Sequence, residues 1–489
     1  MPGHRIGRRI LGLETEYGLS VRVRKQGLAA WRRLPVEEAA QRLFAPVATQ
    51  AKSSNAFLRN GGRLYLDVGS HPEYATPECL AAAEVVVADR AGDEIVTRLA
   101  ALAGQGLAAE GLEADVRLLK NNADPHGNAY GSHENYSVAR SVPFPGIADR
   151  LVPFLVTRPL ICGAGALGPG GFVLSSRAAH LQAVASSATT HARPLVNVRD
   201  EPHADPSRWR RLHVLAGDSN LSEPTTLLKL VATRAVLAAL EDALGGGPDP
   251  LASLELADPI GALRQVVADP TGRAPLLLAD GRTITALAIQ WAHLEAARAA
   301  PVEDEPAQVS AFDLWERTLA AVEADRADDV AAEIEWVAKR RLLRRYADRH
   351  KLGPGDPRLA QVDLAFHELG GSPDGRPRGL FRLLEASGQA SRLTSPQAVA
   401  AAEQSPPGAT RARVRGRFLT AVQALDREYG LDWTSVAVHD LPGGTVTIGL
   451  DDPFAATDAC VDALLDRVRA EPRAGPRAFR APEHGTEGV

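Results

Sequence analysis

Lysine is nearly missing from this chain. Lys25, Lys52, Lys120, Lys229, Lys339 and Lys351 are the only six in 489 residues, and arginine supplies the rest of the basic charge. GC-rich codon usage accounts for such a bias without invoking function. Cysteine is scarce as well. Cys79, Cys162 and Cys460 are far apart and odd in number, which fits neither a disulfide framework nor a zinc site and favours a reducing cytoplasm. No apolar run approaches the roughly 20 residues that a membrane span needs. The N-terminal "MPGHRIGRRI" is basic but has no apolar core, so neither export nor a membrane partner is expected. A net charge of −5 gives no electrostatic case for nucleic acid. The motif G-x-x-x-x-G-K-[ST] is missing, as is a strand-to-helix G-x-G-x-x-G, and "GAGALGPGG" at 163–171 fails that spacing. P-loop and dinucleotide-binding chemistry are thereby excluded. No G-x-S-x-G elbow points to acyl hydrolysis.

What is present is an ordinary globular composition, 45% hydrophobic and 24% charged, long enough for two to four domains. Residues 5–22 read as one strand, 36–49 as a helix behind Pro35, and 80–103 as a long helix. "DVRLLKNN" and "SHENYSVAR" read as strands joined by a Gly/Asn/Asp-rich loop. "RPLIC" reads as a strand before the glycine loop, and "RPLVNVRD" and "RRLHVLA" as two more. A strong helix starts near Pro224. From about 259 to 400 the pattern is mainly helical, "EQSPPGATRA" at 403–412 is linker-like, and a small module of helix, two strands and helix follows.

The strands share one pattern. Glu14 and Glu16 alternate against Leu13, Thr15 and Tyr17. Arg63, Tyr65 and Asp67 alternate against Leu64, Leu66 and Val68. His133 and Asn135 oppose Glu134 and Tyr136, Asn197 and Arg199 oppose Val196 and Val198, and Arg211 and His213 oppose Leu212 and Val214. A period of two places each set on one face. A wet antiparallel sheet alternates the same way, but Glu, Asp, His, Asn, Arg and Tyr are the residue types that bind hard cations and phosphate. The expected architecture is α+β: a curved, mainly antiparallel sheet with a polar inner face and an outer face packed on helices. Glu14, Glu16, Glu73 and His133 could hold magnesium, and Arg199 and Arg211 could clamp phosphate oxygens. Two strand glutamates on a solvated face remain the alternative for Glu14 and Glu16. Cys79 reads as a buried structural thiol.

The stretches "GLETEYG", "SSNAFLRNGGRLYLDVGSHPEYATPEC", "LLKNNADPHGNAYGSHENY", "PFLVTRPLICGAG", "VNVRDEPHADPSRWRRLHVLAGDSN" and "GLDWTSVAVHD" closely resemble the family of Pup ligases and Pup deamidases/depupylases. These are glutamine-synthetase-like carboxylate–amine ligases acting on the prokaryotic ubiquitin-like protein Pup. The similarity runs from Arg8 to about Arg469. The deamidase branch carries an insertion between its E-x-E strand and the "NGGRLY" strand; the stretch here is short, so the ligase branch is implied and the deamidase/depupylase is the alternative.

The resemblance implies a glutamine-synthetase-like catalytic domain over 1–404; the residue pattern itself gives the small C-terminal α/β domain over 405–472 and a disordered tail over 473–489. It implies an ATP-dependent ligase that joins the side-chain carboxylate of Pup's C-terminal glutamate to lysines of target proteins through a γ-glutamyl phosphate, marking them for proteasomal degradation. ATP and Mg2+ are the implied cofactors; Pup and lysine-bearing proteins are the implied partners. Asp67 matches the family's catalytic aspartate. Glu14, Glu16, Tyr65 and Glu73 match magnesium positions, with His133 near metal and phosphate. Arg199, Arg211, Trp433 and Arg415 are the implied ATP or phosphate residues. For Arg199 and Arg211, ion pairs with Asp200 or Glu201 are the competing role. The basic helix stretch 338–350, with Arg341, Arg344 and Arg345 on one face, could belong to a groove for acidic Pup or be a solvated, paired surface.

Overall fold

Strand alternation does build a two-faced sheet. The computed structural model describes residues 8–51, 53–67, 69–123, 129–168, 170–186, 193–300, 306–371 and 376–473. In chain order the strands up to the middle of the chain are β1 (Leu11–Glu16), β2 (Gly18–Lys25), β3 (Arg32–Arg33), β4 (Ala56–Phe57), β5 (Arg63–Asp67), β6 (His71–Ala75), β7 (Leu112–Leu119), β8 (Ser132–Ala139), β9 (Ala166–Gly168), β10 (Gly171–Val173), β11 (Ala183–Ser186), β12 (Pro194–Asn197) and β13 (Trp209–Val214). Eight of them form one sheet in the order β11-β12-β13-β8-β1-β6-β5-β4. Every pairing in it is antiparallel except β11 with β12. The fold is α+β with a mainly antiparallel central sheet, as expected.

Leu11 and Leu13 of β1, with Tyr136, Val138, Leu212, Val214 and Val196, are buried in a large apolar cluster. Residues of helices Ala82–Ala109, Phe144–Thr157 and Glu223–Leu244 complete it. Glu134 also lies on this side. Its carboxylate accepts both arms of the buried Arg158 guanidinium, at 2.7 and 2.8 Å, and the Tyr136 hydroxyl at 2.7 Å. A charge this deep is tolerated because it is paired bidentately and fully hydrogen-bonded.

The opening strand is shorter than the alternation suggests. It stops at Glu16 and the chain changes sheets: β2 belongs to a four-stranded sheet with β3, β7 and Glu368–Leu369. Tyr17 makes the break. Its N–H donates to Pro72 O at 2.8 Å and its hydroxyl to Asp93 at 2.9 Å. Gly18 follows because a Cβ there would lie 2.5 Å from the Tyr130 hydroxyl. The two strands expected on either side of the Asn/Gly loop, β7 and β8, therefore lie in different sheets.

"PLIC" forms a helical turn, Pro159–Cys162, rather than a strand. It continues the preceding helix with proline at its first position. The region from 259 on is helical, as read, but also contains a hairpin of Pro275–Leu277 with Thr283–Thr285. At the C-terminus, helices Ala412–Ala424 and Ala459–Ala470 flank three antiparallel strands, Tyr429–Leu431, Ser435–Val438 and Val446–Gly449. The first of these was not anticipated. Val414, Phe418, Val422, Val436, Val438, Leu464 and Val468 form a separate apolar cluster there. The tail expected to be disordered lies, from Ala474 on, outside the described residues.

Cys79 is buried and backbone-paired with Leu11, consistent with a structural thiol. Cys162 is also buried, Cys460 is exposed, and none is in a disulfide. Among the described residues no helix is long and apolar enough to cross a membrane.

Candidate active site

Register fixes which polar side chains meet. Glu16 stands opposite Glu73, and Glu73 opposite Tyr65. Glu14 stands opposite His133, and Asn135 opposite His213. The polar face is thus a continuous surface crossing β5, β6, β1, β8 and β13. Two groups of potential ligands form on it: Glu14 with His133 and His213, and Glu16 with Asp67 and Glu73, each with its ligand atoms within 4.8 Å of one another.

In the first group, one Glu14 oxygen lies 3.4 Å from His133 Nδ1 and 3.4 Å from His213 Nε2, while Arg211 Nη1 is 3.6 Å from the other. Burial opposes the charge on Glu14, but the two imidazoles and Arg211 outweigh it and hold the carboxyl well below its usual range. In the second group the balance reverses. Burial and the charges of Glu14 and Glu16 push Glu73 well above the carboxylate range. Burial, with Asp67, also raises Glu16. The Tyr65 hydroxyl donates to Glu73 at 2.6 Å, and Gly131 N–H donates to Glu16 at 2.8 Å. Burial and the neighbouring carboxylates hold the Tyr65 phenol in its neutral form.

These residues fit a magnesium site. Three carboxylates converge, two of them buried and resisting ionisation. A divalent cation would relieve both, and oxygen-rich sites of this kind suit a hard ion. Asp67 is partly exposed at the end of β5. It is followed by a tight turn in which Gly69 (φ +90°) and Ser70 (φ +61°) take left-handed backbone.

The remaining expected residues divide. Arg211 joins the face, donating to Asn135 at 3.2 Å and Glu201 at 3.3 Å. Arg199 does not extend a strand. β12 ends at Asn197, whose side-chain oxygen accepts the Arg199 N–H at 2.9 Å and turns the chain. Arg199 is exposed at the rim, 3.4 Å from Glu201. Trp433 lines a cleft together with Leu13, Glu14, Thr76, His203 and Arg411. Its ring meets Phe57 edge-on at 4.9 Å. Arg415 is buried behind it, 4.9 Å from the ring, and is bound by Glu78. In the basic helix Glu335–His350, Lys339 is buried and Arg344 pairs with Asp328.

Sequence reasoning left out four participants. His213 carried the same alternation signal as Arg211 and could have been included on it. Thr76, Glu78 and Arg411 gave no local signal; only folding brings them to the cleft.

Fold and site together define a class: an α+β protein with an acidic, arginine-rimmed sheet face running into a tryptophan-lined cleft. Comparison with known proteins makes this specific. The family model described as Pup-ligase protein matches residues 9–437. A Pup–protein ligase of Sanguibacter keddieii is 44% identical over 472 residues, covering 94% of this chain and 99% of its own. One of Mycobacterium ulcerans is 46% identical over 464 residues with the same coverage. The structure of the ligase PafA in complex with Pup aligns with a TM-score of 0.85 at 40% identity, over 95% of this chain and 92% of that one. PafA in complex with ADP aligns at 0.79 and 40% identity, over 91% and 96%. The chain belongs to the Pup-ligase family.

Proposed function

We propose that this chain uses ATP to join the side-chain carboxylate of Pup's C-terminal glutamate to lysines of target proteins. The observation that carries the mechanism is the unbroken row from the Trp433 cleft through Glu14 to Glu16, Glu73 and Asp67 on one sheet face. Trp433 would hold the adenine, and Glu14, Glu16 and Arg211 would face the phosphates. Glu14, Glu16, Glu73, Tyr65 and His133 would hold magnesium, which would neutralise phosphate charge when bound. The γ-phosphoryl group passes to the glutamate side-chain oxygen, and ADP leaves. A lysine amine then attacks the acyl carbon, and phosphate departs with the original carboxylate oxygen. That amine is almost fully protonated at neutral pH, and Asp67, partly open to solvent, is placed to accept its proton. The three unpaired cysteines suit the cytoplasm, where we place the reaction.

Mass spectrometry of a lysine-bearing acceptor, incubated with MgATP and Pup ending in glutamate or in glutamine, tests this. Conjugation from the glutamate form alone is expected. Conversion of glutamine to glutamate without conjugation would assign the chain to the deamidase branch.

A further inference from the structure

Arg177 is 4% exposed and lies in the turn after β10. Its position is fixed from two sides. The backbone N–H donates to Asp218 Oδ1 at 3.2 Å, and Nε donates to Leu215 O at 3.1 Å. Leu215 is one residue past the Val214–Glu134 pair of β13 and β8, so it lies level with His133, the residue facing Glu14. Arg177 is thereby hung at the edge of the polar face. The two terminal nitrogens of its guanidinium donate to nothing among the described residues, and no carboxylate there forms a salt bridge with it. The Asp218 oxygens are already taken by Ser175 Oγ and Ala164 N–H, both at 2.8 Å. The Arg177 and Glu16 charges act on each other through space, and Arg193, a second cation without an ion pair among the described residues, repels Arg177. A buried cation whose fork has no partner is costly without an anion to receive it.

Position says which anion. The cleft lined by Trp433 opens beside Leu13; Glu14 and Arg211 come next, and Glu16 is the last residue of β1. Leu215 and Asp218, which hold Arg177, bracket the level of Gly131, whose carbonyl accepts the Glu16 N–H, so Arg177 stands at the end of the row farthest from Trp433. In the ligase reading above, the nucleotide takes the near end, which leaves the far one for the carboxylate substrate. A C-terminal glutamate brings two carboxylates: the side-chain group to be activated, and the free α-carboxylate, which stays charged throughout. An arginine with a free planar fork suits a carboxylate that must be held and not consumed.

We infer that Arg177 binds the α-carboxylate of the C-terminal glutamate of Pup and so selects which of its two carboxylates is presented for activation. This rests on the ligase reading above.

The test compares ordinary Pup with Pup whose terminal α-carboxylate is a carboxamide and whose side-chain carboxylate is intact. Binding is followed by fluorescence anisotropy without ATP, and conjugation by steady-state kinetics. With the unmodified enzyme, amidation is expected to weaken binding and raise KM by at least about 10-fold, with kcat less affected. Arg177→Gln should raise KM for ordinary Pup by a similar factor and remove the discrimination between the two substrates. Arg177→Lys should restore part of it. Equal binding of both substrates by the unmodified enzyme overturns the inference even if the variants fail to fold. So does a variant that discriminates as strongly as the parent, or one altered in kcat alone. Absence of any conjugate from the unmodified enzyme and ordinary Pup would instead be a failure of the ligase reading, while the anisotropy comparison would still report on Arg177.

Discussion

Arg415 reaches back 337 positions to grip Glu78 with both arms of its guanidinium, while its face lies 4.9 Å from the Trp433 ring. Glu78 also accepts Arg411 Nε at 2.7 Å, and its carbonyl accepts the Thr410 hydroxyl at 2.7 Å. Glu78, just past β6, therefore fastens helix Ala412–Ala424 and its approach to the main sheet. It also sets the wall of the cleft.

Breaking this clasp should loosen that wall. Glu78→Gln leaves two buried guanidinium groups without a counter-charge, and a loss of about 3–5 kcal/mol is expected. Limited proteolysis should show faster cleavage between 403 and 412, with a lowered unfolding midpoint. Unchanged cleavage would show that the clasp does not hold the module. The pH dependence has a definite sign. Burial opposes the Glu78 charge, but Arg415 and Arg411 hold the carboxyl down at about 2, against an ordinary 4.5. Its contribution, on the order of 3 kcal/mol, is fully present above pH 4.5 and is lost as pH falls toward 2.

Glu73 should behave in the opposite way. Its folded-state carboxyl is held above the ordinary range by burial and by Glu14 and Glu16. The cation-free protein should therefore gain stability as pH falls from that raised value to the ordinary one. Magnesium binding should expel protons and tighten with rising pH. Calorimetric titration in two buffers of different ionisation enthalpy measures the proton release. Glu73→Gln should reduce both the affinity and the release; a release equal to that of the parent enzyme would show that Glu73 does not ligate the ion.

Asp67→Asn keeps the shape and removes the base. Conjugation should fall by about 10²-fold or more, in kcat far more than in KM for ATP. Progress curves over a range of lysine-acceptor concentrations check this. If raising the pH restores the variant, the proton-accepting role is supported; a loss confined to KM for ATP would make Asp67 a nucleotide contact.

Trp433→Ala should raise KM for ATP by about 10-fold, and Trp433→Phe by less, since a smaller ring keeps part of the stacking surface. The edge contact with Phe57 at 4.9 Å is part of the same wall. The melting temperature of each variant separates loss of stacking from loss of packing. An unchanged KM in the alanine variant would remove Trp433 from the nucleotide site.

Glu14, Glu16, Tyr65, Asp67 and His133 were legible as one face because a strand's period of two leaves no choice of side once the apolar residues are placed. Arg199 was not, because the side chain of Asn197 captures a backbone N–H and ends the strand two residues early. The sheet change at Tyr17 depends on Asp93 and Pro72, which no local pattern couples to it. Glu78 looked like one more charge in "ATPEC"; its partners Arg411 and Arg415 lie more than 300 positions away. In the basic stretch at 338–350, Arg344 is paired with Asp328, as a solvated, paired surface requires, while Lys339 is buried against His367 and Gly165 O, which local charge does not reveal.

The shortage of lysine acquires a meaning once the substrate is a lysine amine. Lys120, Lys229 and Lys339 are buried, their ammonium groups bound by Asp89, by Asn220 and Asp218 O, and by Asp363 and Gly165 O. Among the described residues only Lys25 and Lys351 stand exposed. An enzyme that decorates its neighbours' amines offers hardly any of its own. Self-labelling, the ordinary hazard of a catalyst that releases an activated acyl group beside its own surface, has few places here to land.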